Sequence, residues 1–310
     1  MKIIIELPTW LGDTVMSTPA FENLLNYFED PEITLIGSFV AIEASKNHPS
    51  VIKTHILEKN YFNLYKNIKR YGKFDYFFSF RSSLRTKFIK FFISSNIKFQ
   101  YDKSQFSNGH QVERYNNFIN TSLKIKTLPG NLVLHSRKKS KNGANKILGI
   151  NPGSSYGNAK RWYPKEFANL VLKLSTEFDT IIFGGPEEKD ISDDIEKYLI
   201  QYEVENYQNL AGKTSMEELM SQISNLDLFI TGDSGPMHLA AAFQIPTISI
   251  FGPTNHKETS QWKNHKRQIV KKNLECQPCM SKSCPLKHHA CMKQILASDV
   301  MKAVEKLSEI

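Results

Sequence analysis

The chain has 310 residues, 40% hydrophobic and 23% charged, which suits a globular protein of two ordinary domains and excludes a fibrous or low-complexity polypeptide. Forty Lys and Arg against 31 Asp and Glu leave a formal charge of +9, favouring an anionic partner: nucleic acid, a phosphorylated glycolipid or an acidic membrane surface. No window approaches the roughly 20 apolar residues of a membrane span, and the opening run to Pro8 is too short for a secretory core, so a cytoplasmic protein is expected.

In chain order, the first half predicts a buried strand over Lys2–Leu7, a helix over Thr14–Phe28, strands at Glu32–Ile36 and Tyr76–Phe80, and helices at Ser82–Ile93 and Gln111–Leu123. A basic stretch, Ser136–Asn145, reads as the linker. The second half predicts strands at Lys146–Ile150, Thr180–Phe183, Leu226–Thr231 and Thr247–Phe251. Helices are expected between them at Pro164–Thr176, Glu187–Leu199 and Thr214–Asn225, the last opened by a Thr214/Glu217 capping box, and after them at Pro236–Phe243. Strand–helix alternation implies parallel sheets covered on both faces, with ligands at the carboxyl ends of the strands. The expected partition is 1–140, 146–291, and a helix within 292–310 that could cross back to the first domain.

Four turns at strand ends carry candidate chemistry. In Pro8-Thr9-Trp10-Leu11-Gly12-Asp13, Gly12 allows a tight turn, and Asp13 either caps the next helix or serves as a general base toward an attacking hydroxyl. Asn151 to Trp162 offers two glycines, the hydroxyls of Ser154 and Ser155, and the cation of Lys160; it reads as a phosphate cradle or as an ordinary basic loop. Thr231-Gly232-Asp233-Ser234-Gly235-Pro236-Met237-His238 turns a strand into a helix whose N–H groups suit a pyrophosphate. There His238 is either a donor or a packed residue, and Asp233 and Ser234 are either ligand contacts or caps. The turn Phe183-Gly184-Gly185-Pro186-Glu187 places an acid where a ribose diol or a helix start would use it. No Asp-x-Asp pair occurs to hold a divalent ion beside a diphosphate.

Taken in order, PTWLGD, NPGSSYGNAKRW, NLAGKTSMEEL, GDSGPMH and FGPTN span most of the chain and resemble the ADP-heptose:lipopolysaccharide heptosyltransferases, family 9 glycosyltransferases, and among them the heptosyltransferase II branch. The resemblance implies a GT-B fold: two Rossmann-like, doubly wound parallel-sheet domains facing a central cleft, with the acceptor on the N-terminal domain and the ADP-sugar on the C-terminal one. It implies inverting, metal-independent transfer from ADP-L-glycero-D-manno-heptose to the first heptose of the inner core, carried on Kdo and lipid A at the inner membrane's inner face. The family's catalytic aspartate falls on Asp13, its phosphate-binding lysine on Lys160, and its donor loop on Asp233, Ser234, Gly235 and His238. Its ribose acid falls on Glu187, and residues near Thr214 would line the adenine. Gly12, Ser154 and Ser155 complete the expected donor set.

Arg81 and Arg85 are the acceptor candidates, near an aromatic helix (Phe88, Phe91, Phe92) that either turns the basic residues Lys87 and Lys90 to phosphate or lipid headgroups or is a core helix with an exposed charged side. Cys276-x2-Cys279-x4-Cys284-x6-Cys291 either binds a structural Zn or Fe or holds packed, reduced thiols. Two rival functions remain at this point: a GT-B enzyme using another nucleotide sugar such as UDP-GlcNAc, and a basic nucleic-acid-binding protein. The second lacks any RRM, KH or zinc-finger pattern.

Overall fold

The structure, a computed structural model, describes residues 1–136 and 145–309. The chain divides into two compact units that meet in sequence after Ser136. Apart from its end residues, the expected linker lies outside the described residues.

In the first unit, elements follow as β1 (Lys2–Glu6), α1 (Leu11–Met16), α2 (Thr18–Tyr27), β2 (Glu32–Gly37), α3 (Phe39–Ser45) and β3 (Val51–Ile56). Then come α4 (Tyr61–Arg70), β4 (Lys73–Ser79), α5 (Leu84–Phe92), β5 (Ser94–Gln100) and α6 (Gln111–Leu123). The five strands are parallel in the order β3-β2-β1-β4-β5. The single helix expected over Thr14–Phe28 is two, because Pro19 has no N–H to return to the preceding turn; Ser17 ends α1, and α2 restarts with Pro in its first turn. Ile4, Ile36 and Phe77 on the sheet pack against Leu64, Ile68 and Ile89 of α4 and α5.

The second unit contains β6 (Lys146–Asn151), α7 (Pro164–Leu174), β7 (Phe178–Ile182), α8 (Lys189–Gln201), β8 (Tyr207–Asn209) and α9 (Met216–Ile223). It continues with β9 (Leu228–Gly232), α10 (Gly235–Ala242), β10 (Thr247–Phe251), α11 (His256–Thr259), β11 (Arg267–Lys271), α12 (Ala290–Lys293) and α13 (Ala297–Ser308). Six parallel strands run β11-β10-β9-β6-β7-β8. Every residue of β9 and β10 is buried, as expected of central strands covered on both faces.

Two expectations are corrected here. The capping box of α9 is formed by Ser215 and Glu218, one residue later than Thr214 and Glu217: the Ser215 hydroxyl accepts the Glu218 N–H, and the Glu218 carboxylate accepts the Ser215 N–H. The C-terminal helix expected over Met292–Leu307 is broken at Leu296, whose backbone is extended and whose N–H is taken by Asp299. The apolar face of α13 is spent inside the second unit, where Val300, Ala303 and Leu307 share a core with Leu148, Ile150 and Ile248. Among the described residues no helix is long and apolar enough to cross a membrane.

Candidate active site

In a doubly wound sheet the ligand crevice opens where two adjacent strands send their connections to opposite faces. In the second unit that point lies between β6 and β9. The loop after β6 ends in a short turn, Asn158–Lys160, which sends the Lys160 ammonium to the loop after β9. Its Nζ lies 2.6 Å from Asp233 Oδ2, 3.2 Å from the Asp233 carbonyl and 4.6 Å from the Tyr156 ring centroid. Thr254 donates to the same Oδ2 at 2.7 Å and Thr259 to Oδ1 at 3.4 Å, so Asp233 is a buried counter-ion that holds Lys160 in place. Ser234 occupies the N-cap of α10 without capping it; its hydroxyl turns instead to Thr231 at 3.1 Å and Asn151 at 3.3 Å. Pro236 has no N–H and the Met237 N–H returns to the Ser234 carbonyl at 3.2 Å, so α10 begins beside Lys160 with the positive end of the helix and no cap from the Ser234 side chain. His238 is buried within the same helix.

The turn after β7 contributes a second acid. Glu188 is buried and accepts the Gly185 N–H at 2.8 Å, whereas Glu187 points to solvent. The Glu188 carboxyl lies so close to Gly153 that a Cβ there would stand 2.1 Å from it. Glycine at 153 thus lets the loop after β6 close over this acid. Ser154 is buried and accepts the Tyr156 N–H at 3.3 Å, while Ser155 is exposed.

The cysteine segment supports that loop from behind. Tyr156 Oη donates to the Met280 carbonyl at 2.6 Å, the Ala159 N–H to the Lys282 carbonyl at 3.1 Å, and His289 Nε2 lies 2.9 Å from the Ala159 carbonyl. Gly157, at φ +155°, runs against the Lys282 backbone, where a Cβ would stand 2.4 Å from the carbonyl oxygen. Cys276, Cys279, Cys284 and Cys291 line a cavity of about 20 Å³ together with His288 and His289, and burial followed by the other three thiols pushes the Cys291 thiol up to about 11. Both ring nitrogens of His289 are engaged, Nδ1 with Tyr163 Oη at 3.2 Å and Nε2 as above. Among the described residues, the set of His, Cys, Asp or Glu whose ligand atoms all lie within 4.8 Å of one another is Glu22, His48 and His135, so the thiols as placed do not form a closed tetrahedron.

In the first unit the switch point lies between β1 and β4. Asp13 is the third residue of α1, in its first turn, and the N-cap position is taken by Trp10. Tyr115 of α6 donates its phenol to Asp13 Oδ1 at 3.4 Å. Burial, then the Asp13 charge, raise the Tyr115 phenol well above its ordinary value of 10, so it stays a proton donor to that carboxylate. At the end of β1 the fully buried Glu6 accepts from Ser79 at 2.6 Å, Thr86 at 3.2 Å and Arg81 Nη1 at 3.2 Å. Burial raises its carboxyl above the ordinary 4.5 more than these partners lower it. Arg81 is thus an ion-pair partner within the unit. Arg85 donates to the backbone carbonyls of Lys59, at 3.3 Å, and Glu58.

Comparison with known proteins places these loops in a family. The model for glycosyltransferase family 9 (heptosyltransferase) matches residues 78–290. The chain is 40% identical to the lipooligosaccharide heptosyltransferase 2 of Campylobacter jejuni over 317 aligned positions, covering 99% of this chain and 98% of that relative. The chain belongs to glycosyltransferase family 9. Among solved structures, E. coli ADP-heptose LPS heptosyltransferase II matches with a TM-score of 0.83 at 21% identity, covering 99% of this chain and 98% of that one. E. coli heptosyltransferase WaaC with ADP matches with a TM-score of 0.76 at 13% identity over 99% of this chain and all of that one. The fold of this family 9 glycosyltransferase is GT-B, two parallel-sheet α/β domains.

The structure brings together several of the loops that the sequence singled out and adds three side chains that it did not, Glu188, Glu6 and Tyr115. Lys160, Asp233, Ser234 and Gly235 converge at one switch point, and Ser154 lies in the cradle loop. Glu187 is exposed and its neighbour Glu188 is buried; the adjacent Glu pair after Gly184-Gly185-Pro186 signals an acid but not which one the turn buries. Thr214 lies just before the cap of α9, and Gly12 falls in the first turn of α1, next to Asp13. Glu6 interrupts an apolar strand, a signal for a buried functional or structural charge. Tyr115, 102 residues from Asp13, leaves no local signal.

Proposed function

We propose that this glycosyltransferase moves a heptose from ADP-heptose onto the first heptose of the lipopolysaccharide or lipooligosaccharide inner core, with inversion and without a catalytic metal. The observation that carries the reading is the Lys160 ammonium held by Asp233 beside the N-terminus of α10, a ready position for a leaving diphosphate. The full-length likeness to a lipooligosaccharide heptosyltransferase 2 supports the choice of sugar and acceptor.

In the proposed reaction Asp13 takes the proton of the acceptor hydroxyl as its oxygen attacks the anomeric carbon from the face opposite ADP. The bond from that carbon to the β-phosphate oxygen breaks, and its electron pair leaves on ADP. Lys160 and the N–H groups of α10 meet the charge growing there. Glu188 takes the ribose-binding role first expected of Glu187, with Ser154 at the phosphates and residues around Thr214 at the adenine. An acceptor borne on Kdo and lipid A places the working enzyme at the cytoplasmic face of the inner membrane, as a peripheral protein.

Incubation with ADP-heptose and a truncated core ending in one heptose, read by mass spectrometry, is expected to add one heptose. Asp13→Asn is expected to abolish that product while ADP still raises the melting temperature. Normal turnover by Asp13→Asn would remove Asp13 as the base, and stabilisation by UDP but not ADP would favour the UDP-sugar alternative.

A further inference from the structure

Residues 59–100 hold ten Lys and Arg against one acid, Asp75, a local charge of +9. Asp75 itself is engaged by the backbone N–H of Lys2 at 2.8 Å. The segment folds into α4, β4, α5 and β5, and neither α4 nor α5 contains an acid. The nearest acid before it is Glu58, on the loop that Arg85 clasps.

The two helices lie side by side through an aromatic seam, Tyr61 on Phe88 and Tyr65 on Phe92, with ring centroids 5.0 and 4.9 Å apart. Beneath the seam Leu64, Ile68 and Ile89 are buried in the core. Outward the pair shows large apolar side chains to solvent: Phe62 is 64% exposed, Phe91 77% and Leu84 80%. Basic groups sit among them, with Lys66 Nζ 4.2 Å from the Phe62 ring centroid and Lys69 Nζ 5.9 Å from that of Phe92. Like charges are crowded here: the Lys98 ammonium is pushed down by burial and then by Lys90 and Lys69. Exposed phenylalanines ringed by lysines, with no acid between them, match the interface of an anionic bilayer. Rings enter the headgroup–acyl boundary, lysine stems follow them, and ammonium groups meet lipid phosphates.

We propose that the outward face of α4 and α5 docks this enzyme onto an anionic phospholipid bilayer, with Phe62 and Phe91 inserted and Lys66, Lys69 and Lys87 on the headgroups. The proposal deepens the reading that the acceptor is lipid-borne and rests on it for its purpose, although its test needs no turnover. Only α5 was visible as a helix in the sequence, and it takes α4 beside it to make the face.

The test is co-sedimentation of the full chain with phosphatidylcholine vesicles, with and without phosphatidylglycerol, at low and high salt. Partition is expected only onto the anionic vesicles, weakening as salt rises. Phe62→Ser with Phe91→Ser, and separately Lys66→Glu with Lys87→Glu, are each expected to cut partition about tenfold or more. Both pairs are expected to keep the ADP-induced rise in melting temperature and transfer to a soluble truncated acceptor. Because the pairs are read separately, misfolding of one leaves the other to decide. Wild-type partition by a folded variant, equal partition onto neutral vesicles, or displacement from vesicles by a single-stranded oligonucleotide would each overturn the proposal. Failure to transfer heptose with partition intact would count against the enzyme reading alone.

Discussion

Lys160 Nζ and Asp233 Oδ2 stand 2.6 Å apart at the junction of β6 and β9, with the side chains only 12% and 7% exposed. The aspartate fixes the ammonium where a helix start already favours an anion, so the positive charge is preorganised before the donor arrives. Lys160→Met leaves Asp233 with hydroxyl partners only. It is expected to lower folding stability by about 3 kcal/mol, the scale of breaking a buried pair. The same variant is expected to raise the ADP Kd at least tenfold, by calorimetry; unchanged ADP affinity would remove Lys160 from the donor site.

Tyr115 and Asp13 form the corresponding contact in the first unit. The phenol donates to the carboxylate and so fixes where it points. Tyr115→Phe is expected to reduce kcat about tenfold with the donor KM and the melting temperature unchanged. A purely structural role would lower the melting temperature and leave kcat per folded enzyme in place.

Between the paired acids after β7, the buried one should matter. Glu188→Gln is expected to raise the ADP-heptose KM about tenfold, the scale of losing a charge-assisted hydrogen bond. Glu187→Gln, at an exposed position, is expected to behave as wild type. The reverse result would restore the assignment drawn from sequence.

Glu6 makes stability depend on pH in a defined direction. Burial holds its folded-state carboxyl above 4.5, so folding favours the protonated form. That contribution is complete below pH 4.5 and is lost as pH rises through the folded value. Glu6→Gln does not titrate. The stability of wild type relative to the variant, from urea melts, is therefore expected to decline from pH 4.5 toward neutrality. A pH-independent difference would show that Arg81 and the hydroxyls keep Glu6 ionised throughout.

The cysteine segment should report on the donor loop that it supports. With its thiol raised to about 11, Cys291 is expected to be the last of the four to alkylate. Packed thiols alkylate without a chelator, and elemental analysis of untagged protein is expected to find less than one equivalent of Zn or Fe. Modifying Cys276, Cys279 or Cys284 is expected to weaken ADP binding through the bonds from Met280, Lys282 and His289 to the loop. Protection of all four thiols until a chelator is added would instead establish a metal centre.

Strands buried on both faces write themselves into sequence as apolar runs bounded by turns, and β1, β6 and β10 were legible for that reason. So were the turns after them, because a backbone that must bend at a strand end and meet phosphate needs Gly, Pro, Ser and Asp in a narrow order. The edge strands β3, β5, β8 and β11 carry Lys, Thr, Ser, Asn and Gln on half-exposed faces, and only their neighbours in the sheet make strands of them. Helix α4 was missed among aromatic and basic residues whose inward pair, Leu64 and Ile68, is too short a stripe to read alone. Tertiary structure also decided which of Glu187 and Glu188 turns inward, that Asp233 serves Lys160 first, and that Tyr115 reaches Asp13. Each of these depends on where side chains from distant elements meet. Local sequence sets backbone preference and the order of loops, while the direction of a side chain and the charge it meets are set by packing.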